Sequence, residues 1–215
     1  MTNGRPLPYV LGHWEFFGRR YKVTPDVLIP RPETESLVEL ALAHAKNLNN
    51  PKILDVGTGS GAIAISLAAE LPTAQVFASD VSRNALRIAQ ENAQRLGQPQ
   101  IHFLQADLLA PFKAEFDLIC ANLPYIPTGK LQDLAVAHWE PHAALDGGES
   151  GLNFITTLLE QSWERLADDG VLLLEIESSM GAASLAAAEE AFPAAQIRLI
   201  QDLSGRDRII EIKIV

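Results

Sequence analysis

The chain has 215 residues, of which 47% are hydrophobic and 20% charged, and a formal net charge of −10 from 17 basic and 27 acidic residues. That length suits one sizeable α/β core with an accessory segment, and the acidity argues against the broad phosphate-neutralising face of a double-stranded DNA binder. No apolar run approaches the roughly 18–20 residues of a membrane-spanning helix, and "MTNGRPLPYV" lacks the basic cluster and apolar region of a signal peptide, so a soluble, cytoplasmic protein is expected.

In chain order, residues 1–32 read as a small β-hairpin and strap: aromatics surround Gly18 between two strand-like pieces, and prolines follow at 25, 30 and 32. A helix is expected from near Glu33. Pro32 suits its first turn, and Glu33 and Glu35 suit the positive end of its dipole. From there to residue 215, short apolar runs alternate with longer amphipathic ones, predicting strands at 52–57, 75–80, 101–107 and 116–122 and helices at 61–71 and 82–96. The strands are apolar on nearly every residue, as in a parallel sheet covered on both faces. A helix at about 151–167 is expected to end at Asp168-Asp169-Gly170, followed by a strand in "VLLLEI" and a helix at about 182–191. The last two strand-like runs are joined by too short a turn for a crossover, so they should form an antiparallel hairpin at one sheet edge. The fold class is doubly wound, Rossmann-like α/β, with a seven-stranded, mostly parallel sheet.

Cys120, the one cysteine, lies inside an apolar run and reads as a core thiol. His138 and His142 are four apart, but Pro141 interrupts any helix carrying both and no further ligand is near, so no metal site is expected. Arg31 and Glu33 are placed to line a pocket, and the arginine can equally pair with a surface acid.

"ILDVGTGSGAIAISLA" sets Gly57, Gly59 and Gly61 between the first core strand and its helix, where missing Cβ atoms let a ligand approach the main chain and the helix N-terminus. The spacing Gly57-x-Gly59-x-x-Ala62 with Asp80 downstream also fits a dinucleotide fingerprint, and the loop alone does not separate the two ligands. Asp55, Asp80 and Asp107 stand at successive strand ends, a pattern that resembles the Rossmann-like S-adenosylmethionine-dependent methyltransferases. Carboxylates suit a ligand with a diol, an ammonium and a sulfonium, and suit a pyrophosphate poorly. Each is also explicable as a turn or cap residue.

The fourth strand stops at "NLPYIP". In an open α/β sheet ligands sit beyond the carboxyl ends of the strands, so Asn122 should face the crevice of the glycine loop. An amide oxygen on Asn122 and the Leu123 carbonyl, held extended by Pro124, can grip a planar NH2 group by both hydrogens. They would orient its nitrogen toward a methyl donor and stabilise positive charge as the bond forms. Tyr125 offers an aromatic face for packing and for cation–π attraction to a sulfonium.

Taken with "VLIPRPETE", "EPHAALDGGESGL" and "DLSGRDR", this loop resembles the protein-(glutamine-N5) methyltransferases of peptide-chain release factors, the HemK/PrmC family, from about Tyr9 to the C-terminus. The resemblance implies transfer from S-adenosylmethionine to the glutamine of a Gly-Gly-Gln motif, with a release factor as protein partner in translation termination. It implies Asn122 and Tyr125 as catalytic, substrate-touching residues, with Leu123 and Pro124 beside them. The candidate cofactor contacts are Gly57, Thr58, Gly59, Ser60, Gly61, Asp80, Asp107, Leu108 and Asn122. Three features depart from the family. Leu123 stands where a proline is usual, Glu177 where a glycine is usual, and the helical domain that normally precedes the strap is expected to be missing. Asn-Leu-Pro-Tyr also resembles the ribosomal RNA adenine dimethyltransferases, which leaves adenine-N6 methylation as an alternative, and a non-catalytic scaffold as another.

Overall fold

The computed structural model describes residues 4–215; residues 1–3, the start of the expected strap segment, lie outside the described residues. A five-residue helix α1 (Leu7–Leu11) opens them. Five residues are too few to show a helical period, so this helix was not expected from the sequence. The strands β1 (His13–Phe16) and β2 (Arg19–Lys22) pair antiparallel, Trp14 opposite Tyr21, about a turn at Phe17-Gly18. The chain then crosses as an extended strap to α2 (Thr34–Ala45).

The main sheet is built by β3 (Lys52–Val56), α3 (Ala62–Glu70), β4 (Gln75–Asp80), α4 (Arg83–Arg95), β5 (His102–Gln105), β6 (Phe116–Asn122), α5 (Asn153–Ser162), β7 (Leu166–Glu175), α6 (Gly181–Ala191), β8 (Gln196–Gln201) and β9 (Asp207–Lys213). Its seven strands run in the order β5-β4-β3-β6-β7-β9-β8; the first five are parallel, and β9 pairs antiparallel with both β7 and β8. This is the expected doubly wound sheet with its terminal hairpin at one edge.

The alternation of side chains explains why its strands are apolar throughout. Ile53, Leu118, Cys120, Val171, Leu173 and Ile209 enter the core beneath α2 and α3. Their neighbours Leu54, Ile119, Ala121, Leu172, Leu174 and Ile210 enter the opposite core, beneath α5 and α6. Successive strand residues point to opposite faces, so a sheet sandwiched by helices requires both sets to be apolar. Cys120 is fully buried, and burial raises its thiol well above the usual range, which makes it a core residue.

One element boundary differs from expectation. The helix expected over 151–167 ends at Ser162, and the strand begins at Leu166. Asp168-Asp169-Gly170, read as a helix stop, is an irregularity inside β7: Leu166 pairs with Phe116 and Val171 with Leu118, so the extra residues bulge. Asp169 takes φ 60°, a conformation that a bulge and a helix end demand alike, and the sequence signal is the same for both.

The hairpin and strap are fastened behind the sheet's carboxyl edge. Asn92 of α4 accepts from Lys22 N at 2.7 Å and donates to Lys22 O at 3.0 Å and to Ser60 O at 2.9 Å, joining hairpin and glycine loop through one buried amide. Tyr9, Val23, Val27 and Ile29 pack on Ala85 and Ile88 as a third apolar cluster, and Tyr9 Oη donates to Val27 O at 2.6 Å. The strap therefore passes directly over the loops that leave β3, β4 and β6.

Candidate active site

The floor of the site is the turn between β3 and α3. Gly57 N and Thr58 N both donate to Ser79 O, at 2.9 and 2.8 Å, which hangs the loop from the end of β4. Asp55 Oδ2 accepts from Thr58 Oγ1 at 2.6 Å and Ala64 N at 3.1 Å, tying the loop to the first turn of α3. Asp55 is completely buried. Desolvation raises its carboxyl to about 7 against the pull of those two hydrogen bonds, and the nearby Asp80 charge adds to the rise.

Gly57 has φ +73°, and a Cβ there would lie 3.1 Å from Leu123 Cδ2. Gly61 serves a different neighbour: at φ +84°, its Cβ would fall 2.8 Å from Ile65 Cδ1 and 3.2 Å from Ala89 Cβ, so it permits α3 and α4 to pack closely. Asp80 Oδ2 accepts from Gly59 N at 2.9 Å, and its Oδ1 accepts from Ser82 N at 2.8 Å beside the N-cap of α4. Burial raises its carboxyl, opposed by those amides. Asp107 and Leu108 lie just past β5, Leu108 at φ 48°. A leucine in the left-handed region costs about 1–2 kcal/mol, a strain of the kind that accumulates at functional loops.

The opposite wall is the end of β6. Asn122 Nδ2 donates to Thr34 Oγ1 at 3.1 Å. Among the described residues no donor reaches Asn122 Oδ1 or the Leu123 carbonyl. The loop beyond is held from behind by the segment after Glu140: Ile126 N donates to Leu145 O at 2.9 Å, Gly147 N to Ile126 O at 2.8 Å, and Thr128 N to Gly148 O at 2.9 Å. A Cβ on Gly147 would lie 2.7 Å from Tyr125 Cα and 2.8 Å from Pro124 O, so the glycine block of "EPHAALDGGESGL" supports the "NLPYIP" loop backbone to backbone. Glu175 stands next to Asn122 in register on β7 and is buried. Burial pushes its carboxyl up to about 7, against the hydroxyl of Thr34, the Arg208 charge and the amide of Asn122, while Glu33 raises it further. Burial also raises the Tyr125 phenol, with the Glu175 charge adding.

Between these walls lies a largely apolar cleft of about 1090 Å³ counting its open mouth. It brings together Gly57, Thr58, Gly59, Ser60, Asp80, Asp107 and Leu108 on one side and Asn122, Leu123 and Pro124 on the other. Gly61 and Tyr125 do not line it. The strap from Asp26 to Arg31 and residues Pro141, Ala144 and Phe154 complete it. Arg31 donates to Glu140 Oε1 at 2.6 Å; that acid is buried, not on the surface as the sequence suggested, and it also accepts from Ile29 N at 3.4 Å. Thr34 and Phe154 line the cleft and Glu175 stands beside Asn122, and none of the three was expected there from the sequence. Only Glu175 carried a signal, being a charge at the end of an otherwise apolar strand run.

Residues 34–140 match the family model described as methyltransferase small domain. A release factor glutamine methyltransferase from Moorella thermoacetica is 47% identical over 210 residues, 95% of this chain and 74% of that one. Its namesake from Neisseria gonorrhoeae is 43% identical, covering 96% of this chain and 76% of that one. The solved protein-(glutamine-N5) methyltransferase (release factor-specific) from Alicyclobacillus acidocaldarius superposes with a TM-score of 0.56 at 28% identity, over 90% of this chain and 99% of that one.

Proposed function

The chain belongs to the family of release factor glutamine methyltransferases, and from that premise we propose that it transfers a methyl group from S-adenosylmethionine to the side-chain amide nitrogen of a glutamine in a peptide-chain release factor, within a Gly-Gly-Gln motif. One observation carries this reading: Asn122, its amide nitrogen tied to Thr34, lines the same cleft as Gly57 to Ser60.

The donor set suits the cofactor. Gly57 and Gly59 leave the backbone open, and a Cβ on Gly59 would meet nothing closer than 4.0 Å, the Gly57 carbonyl. Asp80 spends one lone pair of each oxygen on backbone amides. A carboxylate has about four such sites, so it keeps capacity for two ribose hydroxyls. Asp107 and Leu108 would take the adenine, and Thr58 and Ser60 would complete the cradle. When bound, the cofactor supplies an electrophilic methyl on a sulfonium sulfur.

The protein's own residues supply orientation. Asn122 Oδ1 and the Leu123 carbonyl would each accept one hydrogen of the substrate amide, aligning its nitrogen with the donor and stabilising the positive charge that develops there; the surplus proton then leaves to water. Pro124 restricts the Leu123 carbonyl to an extended conformation. Tyr125, one residue beyond the cleft lining, would pack the glutamine from the substrate side. Incubating the chain with labelled S-adenosylmethionine and either an intact release factor or ribosomal RNA tests the reading: label should enter the protein, and label in RNA alone contradicts it.

A further inference from the structure

We propose that Glu175 is a positioning residue: with Thr34, it fixes the polarity of the Asn122 side-chain amide so that the amide oxygen faces the cleft as an acceptor. This rests on the methyl-transfer reading above and names what makes its key acceptor reliable.

An asparagine amide has two nearly isosteric ends, and only one of them can accept. Something must choose between them. Asn122 and Glu175 are in-register partners at the carboxyl ends of β6 and β7, so their side chains leave the same face of the sheet. Asn122 Nδ2 donates to Thr34 Oγ1 at 3.1 Å. A hydroxyl can donate or accept, so Thr34 alone does not decide the direction of that bond. An ionised carboxylate accepts only, and Glu175 stands beside both Thr34 and Asn122. With its hydrogen drawn toward that carboxylate, the Thr34 hydroxyl is left to accept from Asn122. Turning the amide over would set Oδ1 against the carboxylate. Glu175 Oε2 is buried and has no hydrogen-bond partner among the described residues. An apolar residue would serve the sheet better at that position, which points to a role in the site.

Protonation would let Glu175 donate, and the chain of bonds could then run either way. The groups facing Glu175 are Thr34 and Glu33 at the start of α2, Asn122 on β6, Tyr125 on the following loop and Arg208 on β9; Arg31 of the strap and Glu177 beyond β7 reach the same neighbourhood through Tyr125. Burial outweighs the groups that favour charge, so the carboxyl titrates near 7 and the acceptor is secured as pH rises through that value.

The test measures kcat against pH with a release factor as substrate for the wild-type chain, Glu175→Gln and Thr34→Val. The wild-type kcat should rise about tenfold from pH 6 to pH 8, following the ionised fraction. Glu175→Gln should lose this limb and turn over at least about tenfold more slowly at pH 8, with KM and the Kd for S-adenosylhomocysteine nearly unchanged; Thr34→Val should behave likewise. A wild-type pH profile and kcat in Glu175→Gln, or losses confined to KM, overturns the proposal. If the wild-type chain methylates nothing, the methyl-transfer reading fails, and the polarity is still tested by the 15N resonance of the Asn122 side-chain amide, identified by its loss in Asn122→Ala. It should titrate near pH 7 in the wild type; a flat response overturns the proposal even if Glu175→Gln does not fold.

Discussion

Leu123 and Gly57 meet across the floor of the cleft: a Cβ on Gly57 would come within 3.1 Å of Leu123 Cδ2 and 3.8 Å of the Asn122 carbonyl. The proposed substrate loop and the proposed cofactor loop therefore touch, and Leu123 forms that contact. Gly57→Ala should be destabilising by about 1–2 kcal/mol from its φ of +73° alone, with a further steric part. Leu123→Ala in the same chain should recover the steric part only. Denaturant unfolding of the two single variants and the double variant measures this; strictly additive effects would mean that the loops are not in contact.

Asn122→Ala should lower kcat by about 10²–10³, the typical effect of removing one preorganised group that acts on developing charge. Its affinity for S-adenosylhomocysteine should stay within a few-fold, because Gly57 to Ser60 and Asp80 are untouched. Single-turnover kinetics with calorimetry checks this, and normal turnover would remove Asn122 from the mechanism.

Asp80 holds Gly59 N and Ser82 N as well as facing the cleft. Asp80→Ala should weaken S-adenosylhomocysteine binding at least about tenfold, losing charge-assisted hydrogen bonds to the ribose, and should also lower Tm. Calorimetry against NAD should show no binding in either chain. NAD binding to the wild type would revive the dinucleotide reading of the loop.

Arg31 and Glu140 are 109 positions apart in sequence and 2.6 Å apart in space, pinning the strap over the cleft. Removing one partner of a fully buried pair costs about 3–5 kcal/mol. Here the arginine is 35% exposed while the glutamate is 2% exposed. Arg31→Ala should therefore cost on the order of 2 kcal/mol, and Arg31→Ala with Glu140→Gln should recover part of it. Chemical denaturation gives both values.

Asp55 titrates from 3.8 in its ordinary state to about 7 in the fold. The native state thus binds the proton more tightly than the unfolded chain, so this group's contribution favours folding below about pH 4 and fades as pH rises to about 7. Across that window Asp55→Asn should lose stability less steeply than the wild type. Melting curves from pH 4 to pH 8 test the sign; parallel curves would mean that Asp55 is not buried as a charge.

The sheet could be read from residues 52–57, 75–80 and 116–122 because strands buried on both faces leave an unbroken apolar record. The glycine loop and Asn122 could be read because strand ends in this fold converge. Three features left no such record. The bulge at Asp169 uses the same residues as a helix stop. The partnership of Arg31 with Glu140 depends on the path of the strap, which local pattern does not encode. Gly61 fits a binding motif, yet a Cβ there would meet Ile65 and Ala89 where α3 packs on α4, and Tyr125 stands one residue beyond the cleft lining. Spacing alone does not reveal which way a residue faces.

The most direct measurement is mass spectrometry of a release factor after incubation with the chain and S-adenosylmethionine, with fragment ions locating the added methyl. One methyl is expected on the side-chain nitrogen of the glutamine in the Gly-Gly-Gln motif, absent when Asn122→Ala replaces the wild type. A methyl on any other residue, or an unmodified release factor beside methylated RNA, would contradict it.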